Sequence, residues 1–218
     1  MAISVAVPVG EDTADRLIAA LTPRVESLKI GPYTSENDVD FGPVITPEAK
    51  RKILGLVDSG VEQGASLVVD GRDFNLQGYE NGNFVGACLF DNVTSDMDIY
   101  KTEIFGPVLS TVRAKTYEEA VAYAMDHEYG NGTAIFTRDG DTARDFASRI
   151  NIGMVGVNVP IPVPLAYYTF GGWKRSGFGD LNQHGPDAIR FYTKTKTVTQ
   201  RWPSGVKEGA EFSIPTMD

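Results

Sequence analysis

One short stretch of the chain combines residue types that could hold a small ligand. It runs from Glu103 to Pro107 and places the Glu103 carboxylate two residues before the Phe105 ring. Gly106 tolerates backbone angles that other residues avoid, and Pro107 fixes its own, so this turn could hold the two side chains in a fixed relation at the lip of a sheet. Ligands of open α/β sheets bind outside the carboxyl ends of the strands. The alternative is an ordinary tight turn with a solvated glutamate.

The segments around this stretch alternate between predicted strands and predicted helices. The strands are expected at residues 3–9, 66–69, 84–90, 108–112, 133–137 and 153–159. The helices are expected from Asp12 or Thr13 to Leu28, after Thr46, from Thr116 to Met125, and from Asp139 or Asp141 to Ile150. The pattern predicts an α/β fold, with an open, mostly parallel twisted sheet flanked by helices. The first strand is so apolar that we expect it to be buried between neighbours.

The pattern changes after Val159. Prolines 160, 162 and 164 interrupt regular structure, and residues 169–179 contain four glycines among two Phe and one Trp. Such a glycine density lets the backbone approach another surface closely. After a short helix at 186–190, residues 191–202 alternate with a period of two, which predicts a strand. An isolated strand is unstable, so we expect this one to pair, for example with another subunit. We therefore divide the chain into a main domain, residues 1–190, and an oligomerisation strand and tail, residues 191–218.

Composition excludes several classes of protein. The formal net charge of −9 argues against a nucleic-acid partner, whose binding surface would be basic. No stretch approaches the roughly 20 apolar residues of a membrane span, and the first residues lack the charged region of a signal peptide. A single cysteine excludes an internal disulfide framework and fits a reducing compartment. These features predict a soluble, cytoplasmic protein.

The remaining titratable candidates favour structural roles. His127 and His184 are far apart and have no Cys or paired carboxylates at ligand spacing, so no metal site is expected. His127 ends a helix, where a cation is modestly favoured. Cys88 falls within a predicted strand, and we interpret it as a buried structural cysteine rather than a reactive thiolate.

Taken together, the motifs resemble the C-terminal, catalytic-domain part of an aldehyde dehydrogenase, and the resemblance covers essentially all 218 residues. It is carried by residues 103–107, 130–137, 150–158, 170–179 and 194–198. Within that superfamily the segments at 153–164, 170–174 and 179–185 resemble the methylmalonate-semialdehyde dehydrogenases, which use NAD and acylate CoA.

The resemblance implies roles for individual residues. Glu103 would hydrogen-bond the nicotinamide ribose of NAD, since a carboxylate can accept both hydroxyl protons. Phe105 would contact the nicotinamide end of the cofactor, and Phe170 would line the tunnel for the aldehyde, near Pro162 and Pro164. CoA would be the acyl acceptor. Lys174 and Arg175 could meet a substrate carboxylate or a CoA phosphate, or form a solvated pair of cations.

The resemblance also implies that part of the active site lies outside this sequence. In the family a cysteine thiolate attacks the aldehyde, and here that cysteine would lie one residue before Met1, with the dinucleotide-binding domain further upstream. No catalytic residue is therefore assigned, and we expect the isolated chain to be inactive and to bind NAD weakly or not at all. The alternative is a non-catalytic, self-associating domain, or a subunit that needs a separate cofactor-domain chain. In either case we expect a homo-oligomer.

Overall fold

The computed structural model describes residues 3–34 and 38–202. Its main sheet has four strands, which are β1 (Val5–Ala6), β2 (Ser66–Val69), β3 (Cys88–Asp91) and β4 (Val108–Thr111). Their order is β1-β4-β3-β2, with β1, β4 and β3 parallel and β2 antiparallel to β3. The sheet is open and mostly parallel, as the sequence predicts. No helix in the described ranges is long and apolar enough to cross a membrane.

Three helices accompany this sheet, namely α1 (Glu11–Glu26), α2 (Pro47–Glu62) and the short α3 (Asp98–Lys101). Thr46 caps α2 as predicted, since its hydroxyl accepts a hydrogen bond from the Ala49 N–H at 3.1 Å. The cap predicted for α1 at Asp12 or Thr13 is wrong. Gly10, with φ of 87°, takes the N-cap position and makes no side-chain cap, so Asp12 falls inside the first turn. The main core lies between sheet and helices, around Ile53, Val57 and Phe90.

The following residues form a second group of elements. They are α4 (Tyr117–Asp126), β5 (Tyr129–Gly130), β6 (Gly132–Ile135), α5 (Gly140–Arg149), β7 (Met154–Val157) and β8 (Trp173–Lys174). Strands β6 and β7 pair in parallel, whereas β5 and β8 form a short antiparallel pair. Thr116 caps α4 through its side chain, as predicted. Asp139 caps α5, so of the two predicted starts, Asp139 and Asp141, the first is correct. A smaller core around Val121, Phe146 and Ile150 joins these helices.

The first strand does not occupy the interior position expected of it. It lies at one edge of the four-stranded sheet, and β4 is its one partner among the described residues. Ile3 and Val9 at its two ends are exposed, and Val5 is half-buried. Among the described residues, this apolar strand is therefore not buried between two neighbouring strands as expected.

The predicted boundary between the last helix and the tail strand is also wrong. Helix α6 spans Pro186–Tyr192, so Phe191 and Tyr192 continue the helix instead of starting a strand. Residues 193–202 are exposed and form no strand with any described residue. The pairing of this tail with another subunit stays a prediction, and residues 203–218 of the predicted tail lie outside the described residues.

Candidate functional site

The loop from Glu103 to Pro107 connects α3 to β4 and exposes its two candidate side chains. Ile104 is only 5% exposed and packs into the main core, whereas Glu103 and Phe105 on either side are exposed, Phe105 to 80%. This alternation anchors the loop through Ile104 and presents the carboxylate and the ring to solvent. The arrangement fits a ligand-binding lip, since an exposed phenyl ring has no packing role of its own.

Phe105 has a backbone conformation that is unusual for an aromatic residue. Its φ is 59°, in the left-handed region that L side chains rarely adopt. The flanking residues impose it. Gly106 is so close to the core that a Cβ there would lie 2.6 Å from Ile53 Cδ1, and the Pro107 carbonyl accepts a hydrogen bond from the Cys88 N–H at 2.8 Å. Backbone strain of this kind is concentrated at functional sites.

The Glu103 carboxylate is available to a ligand. Its backbone carbonyl accepts a hydrogen bond from Lys52 Nζ at 3.0 Å, which ties the loop to α2. Its side chain makes no hydrogen bond or ion pair with any residue that the structure describes. Both carboxylate oxygens can therefore accept hydrogen bonds from a pair of hydroxyl groups.

The candidate loop lies at the amino ends of the parallel strands. It precedes β4, and the Ser110 N–H of β4 donates to the Ser4 carbonyl just before β1 at 3.1 Å, so both strands start near this edge. The loop therefore does not lie at the carboxyl ends of these strands, where ligands of open α/β sheets usually bind. The reason is local, because a loop that enters its strand lies at the amino end of that strand.

Phe170 belongs to a different part of the molecule. It is half-buried, and its ring stacks on His184 with the centroids 4.4 Å apart and the planes 7° from parallel. No ring contact joins it to Phe105 among the described residues. Glu103 and Phe105 thus share one loop, whereas Phe170 lies in the glycine-rich segment 169–179, here called the Phe170 wall. Within that wall, the stack on His184 fixes the plane of the Phe170 ring.

Glycines let the segment after Phe170 lie directly on β7. A Cβ added to Gly153 would fall far inside van der Waals contact with the Gly171 carbonyl oxygen, and one added to Gly171 would meet the side chain of Asn182. A Cβ added to Gly156 would overlap the Val159 carbonyl oxygen and would lie 3.2 Å from Pro162 Cβ. The close backbone approach predicted from the glycine density is confirmed.

Lys174 does neither of the two things predicted for it. Its ammonium donates to the carbonyls of Ala124, Met125 and His127 at 3.2, 2.7 and 3.0 Å, at the C-terminal end of α4. It is therefore neither a solvated cation nor free to bind an anion. Arg175 is exposed and forms an ion pair with Glu128.

His127 also has a structural environment. Its Nδ1 accepts a hydrogen bond from the Tyr129 N–H at 3.1 Å, and its Nε2 lies 3.3 Å from the Tyr100 carbonyl. Both ring nitrogens are therefore used in local contacts with the backbone, and Lys174 places a cation at this helix end. Within the described ranges, no group of three or more His, Cys, Asp or Glu could hold a metal ion.

Cys88 is buried, as predicted. It is 2% exposed, burial raises the pKa of its thiol, and its sulfur accepts a hydrogen bond from the Gly71 N–H at 3.3 Å. A thiol acts as a nucleophile only as the thiolate. Cys88 is therefore unsuited to nucleophilic catalysis.

The fold, the strained loop and the glycine-rich wall together define the class of protein. The family model of the aldehyde dehydrogenase family matches residues 2–198, and the chain belongs to that family. The sequence is 58% identical to a malonate-semialdehyde dehydrogenase of Pseudomonas aeruginosa over 100% of this chain and 44% of that protein. It is 45% identical to the acylating mitochondrial methylmalonate-semialdehyde/malonate-semialdehyde dehydrogenase of Bos taurus, over 100% of this chain and 39% of that protein.

Two solved structures of methylmalonate-semialdehyde dehydrogenases are also similar to this chain. A methylmalonate-semialdehyde dehydrogenase of Sinorhizobium meliloti in complex with NAD is 75% identical, with a TM-score of 0.92 over 94% of this chain and 42% of that one. The methylmalonate-semialdehyde dehydrogenase of Oceanimonas doudoroffii is 55% identical, with a TM-score of 0.90 over 93% of this chain and 41% of that one. The chain therefore spans less than half the length of these relatives.

Proposed function

We propose that this chain forms one wall of the active site of an NAD-dependent, CoA-acylating dehydrogenase for methylmalonate or malonate semialdehyde. The observation that carries the proposal is the loop at residues 103–107. It presents a carboxylate with no partner among the described residues beside a phenyl ring that is 80% exposed and held in a strained conformation. The relatives named for this chemistry are similar to the chain over its whole length.

The residues of the loop fit NAD. Glu103 can accept hydrogen bonds from both hydroxyls of the nicotinamide ribose, because its oxygens are otherwise unoccupied by described residues. The Phe105 ring offers an apolar face to the flat nicotinamide. Bound NAD would supply the hydride acceptor for the oxidation. The role of this chain is to orient that cofactor, since an anchored loop fixes both contacts before binding.

The aldehyde would lie against the wall that carries Phe170. The stack on His184 fixes the plane of the Phe170 ring, and the contact of Pro162 with Gly156 holds the neighbouring loop against β7. An apolar wall of this kind excludes water from the reacting carbon. In an acylating enzyme this exclusion matters because water competes with the CoA thiol for the acyl group.

The chain of 218 residues is proposed to have no dehydrogenase activity by itself. Covalent catalysis of this type needs a reactive thiolate. The sequence contains one cysteine, Cys88, and that residue is buried with a raised thiol pKa. The nucleophile would come from residues outside this sequence, as would most of the contacts to NAD.

A second function, self-association, has its own supporting observation. Many large apolar side chains between residues 157 and 202 are exposed, among them Leu165, Tyr167, Phe178, Ile189, Tyr192 and Trp202. Exposed apolar surface of this extent drives association. We expect a homo-oligomer, and light scattering that gives the 23.7 kDa mass of one chain at all concentrations would contradict this.

The function is tested in two forms of the protein. The 218-residue chain is mixed with NAD, malonate semialdehyde and CoA, and absorbance of the reduced cofactor is followed. No turnover is expected, and turnover would refute the assignment of the nucleophile. A chimera that joins the part of the P. aeruginosa relative preceding the matched segment to this chain is expected to be active. Glu103→Gln in the chimera is expected to raise KM for NAD roughly tenfold, which corresponds to one lost hydrogen bond to a charged group.

A further inference from the structure

The C-terminal end of α4 receives its cation from a remote part of the chain. Helix C-termini carry a partial negative charge and four carbonyls without helical partners. Helix α4 has no basic residue in its last turn. Lys174 supplies the charge instead, from a segment 47 to 50 residues further along.

The Lys174 side chain is fully committed to this contact. An ammonium group has three N–H donors, and the three carbonyls of Ala124, Met125 and His127 accept all of them. Its stem runs across Gly130, where a Cβ would lie 3.3 Å from Lys174 Cδ. Its φ of 50° is in the left-handed region. A strained backbone in a half-buried residue persists only where the surroundings hold it in place.

The same anchor holds the wall that carries Phe170. Around Lys174, the Arg175 N–H donates to the Glu128 carbonyl at 3.2 Å, and the Gly130 N–H donates to Ser176 Oγ at 3.0 Å. On the other side, Gly171 rests on Gly153. Phe170 lies four residues before Lys174, so its position depends on how this segment is fixed against α4 and β5.

We propose that Lys174 is a positioning residue that fixes the Phe170 wall and thereby sets the affinity for the aldehyde. The effect on aldehyde affinity rests on the proposed function, because that function gives Phe170 its role. The anchoring of the segment by Lys174 does not depend on the proposed function. Loss of the ammonium leaves three carbonyls at the C-terminal end of α4 without a cation and frees the segment from Gly171 to Ser176. The wall then loses its fixed distance to the aldehyde, while the loop of Glu103 and Phe105, which leads into β4 of the separate four-stranded sheet, is unaffected.

Hydrogen exchange of the 218-residue chain tests the anchoring. Lys174→Met keeps the length of the stem and removes the charge. We expect the amides of residues 128–130 and 171–176 to exchange at least about tenfold faster, with those of α2 and β3 unchanged. Arg138→Met, the control, removes an exposed cation outside both monitored ranges and is expected to leave both unchanged. Unchanged protection in Lys174→Met would overturn the proposal. If that variant does not fold, Lys174→Arg is read in the same way, with a smaller increase expected because a planar fork fits three converging carbonyls poorly.

Kinetics of the chimera test the consequence for the substrate. Lys174→Met is expected to raise KM for malonate semialdehyde about fivefold or more, with kcat and KM for NAD within about twofold of the parent. An effect on KM for NAD instead of the aldehyde would overturn the role at the substrate wall. If the parent chimera shows no turnover with any aldehyde, the proposed function fails, and the exchange measurement alone then decides whether Lys174 is the anchor.

Discussion

Gly153 and Gly171 are in direct backbone contact, and neither position has room for a side chain. A methyl group on Gly153 would overlap the Gly171 carbonyl oxygen, which belongs to the backbone and cannot rotate away. We expect Gly153→Ala to lower the free energy of unfolding by roughly 3 kcal/mol, as overpacking of a rigid contact does. It should also displace the Phe170 stack on His184. Urea denaturation measures the first effect, and the ring-shifted proton resonances of His184 report the second.

Gly55 provides the matched control for that substitution. It lies inside α2 with open space around the position of a Cβ. Alanine is a better helix former than glycine, so Gly55→Ala is expected to stabilise the chain by roughly 0.5–1 kcal/mol. Equal effects of the two substitutions would contradict the close contact between Gly153 and Gly171.

The strained backbone at Phe105 predicts that two substitutions there differ in stability but have the same effect on NAD binding. Glycine adopts a φ of 59° without penalty, whereas alanine retains the strain of an L residue. We expect Phe105→Gly to be more stable than Phe105→Ala by about 1 kcal/mol, the usual penalty of the left-handed region. Both variants lose the ring, so both should raise KM for NAD equally in the chimera. Greater stability of the alanine variant in urea denaturation would contradict the strain.

Local signals allowed the sequence to predict much of this fold. The caps at Thr46, Thr116 and Asp139 are contacts between residues three apart, and the apolar periodicity that defines α2 is local in the same sense. The left-handed conformation of Phe105 could not be predicted, because it results from how tightly Gly106 packs on Ile53, a residue in another element. The lysine cap of α4 was missed for the same reason. One signal was present, since α4 has no cation of its own in its last turn.

Burial of Cys88 predicts an unreactive thiol. Because burial raises its pKa, the thiolate fraction at neutral pH is smaller than for a free cysteine. We expect negligible labelling by iodoacetamide in the folded chain and stoichiometric labelling in denaturant. Rapid labelling of the native chain, measured by mass spectrometry, would reopen Cys88 as a candidate nucleophile.

The ion pair between Asp91 and Arg113 predicts an acid-sensitive contribution to stability. Burial opposes ionisation of Asp91, but the hydrogen bonds from the Arg113 guanidinium and the Asn92 N–H outweigh it, so the pKa of Asp91 is lowered. A lowered pKa stabilises the fold above the unfolded value of about 4, and this contribution is lost as the pH falls through the folded pKa.

Arg113→Met is expected to lower the free energy of unfolding at neutral pH by about 3 kcal/mol, since it leaves a buried carboxylate unpaired. The Asp91 pKa then rises through burial, so the deficit relative to the parent should shrink as the pH falls below about 5. Urea denaturation at several pH values tests both effects. Arg16→Met, which removes an exposed pair with Asp12, serves as control and is expected to change neither. A deficit that does not depend on pH would contradict the assignment to Asp91.

The environment of Tyr117 predicts a contribution to stability that is lost at alkaline pH. Burial and the 2.7 Å hydrogen bond to Asp145 raise its pKa to about 12. The neutral phenol therefore stabilises the fold below the unfolded pKa of about 10, and this contribution is lost as the pH rises from about 10 to about 12. The difference in tyrosinate absorbance between the parent and Tyr117→Phe isolates this group. Ionisation of Tyr117 near pH 10 in the folded chain would contradict the prediction.

The remote lysine cap of α4 has a consequence for the order of folding. Residues 124–127 precede Lys174 by about fifty positions, so the end of α4 is completed only after the glycine-rich segment has reached it. The four-stranded sheet needs no residue beyond Thr111 and can form first. We therefore expect the segment that carries Phe170 to be the last part of the chain to become ordered, and the first to open when the protein is stressed.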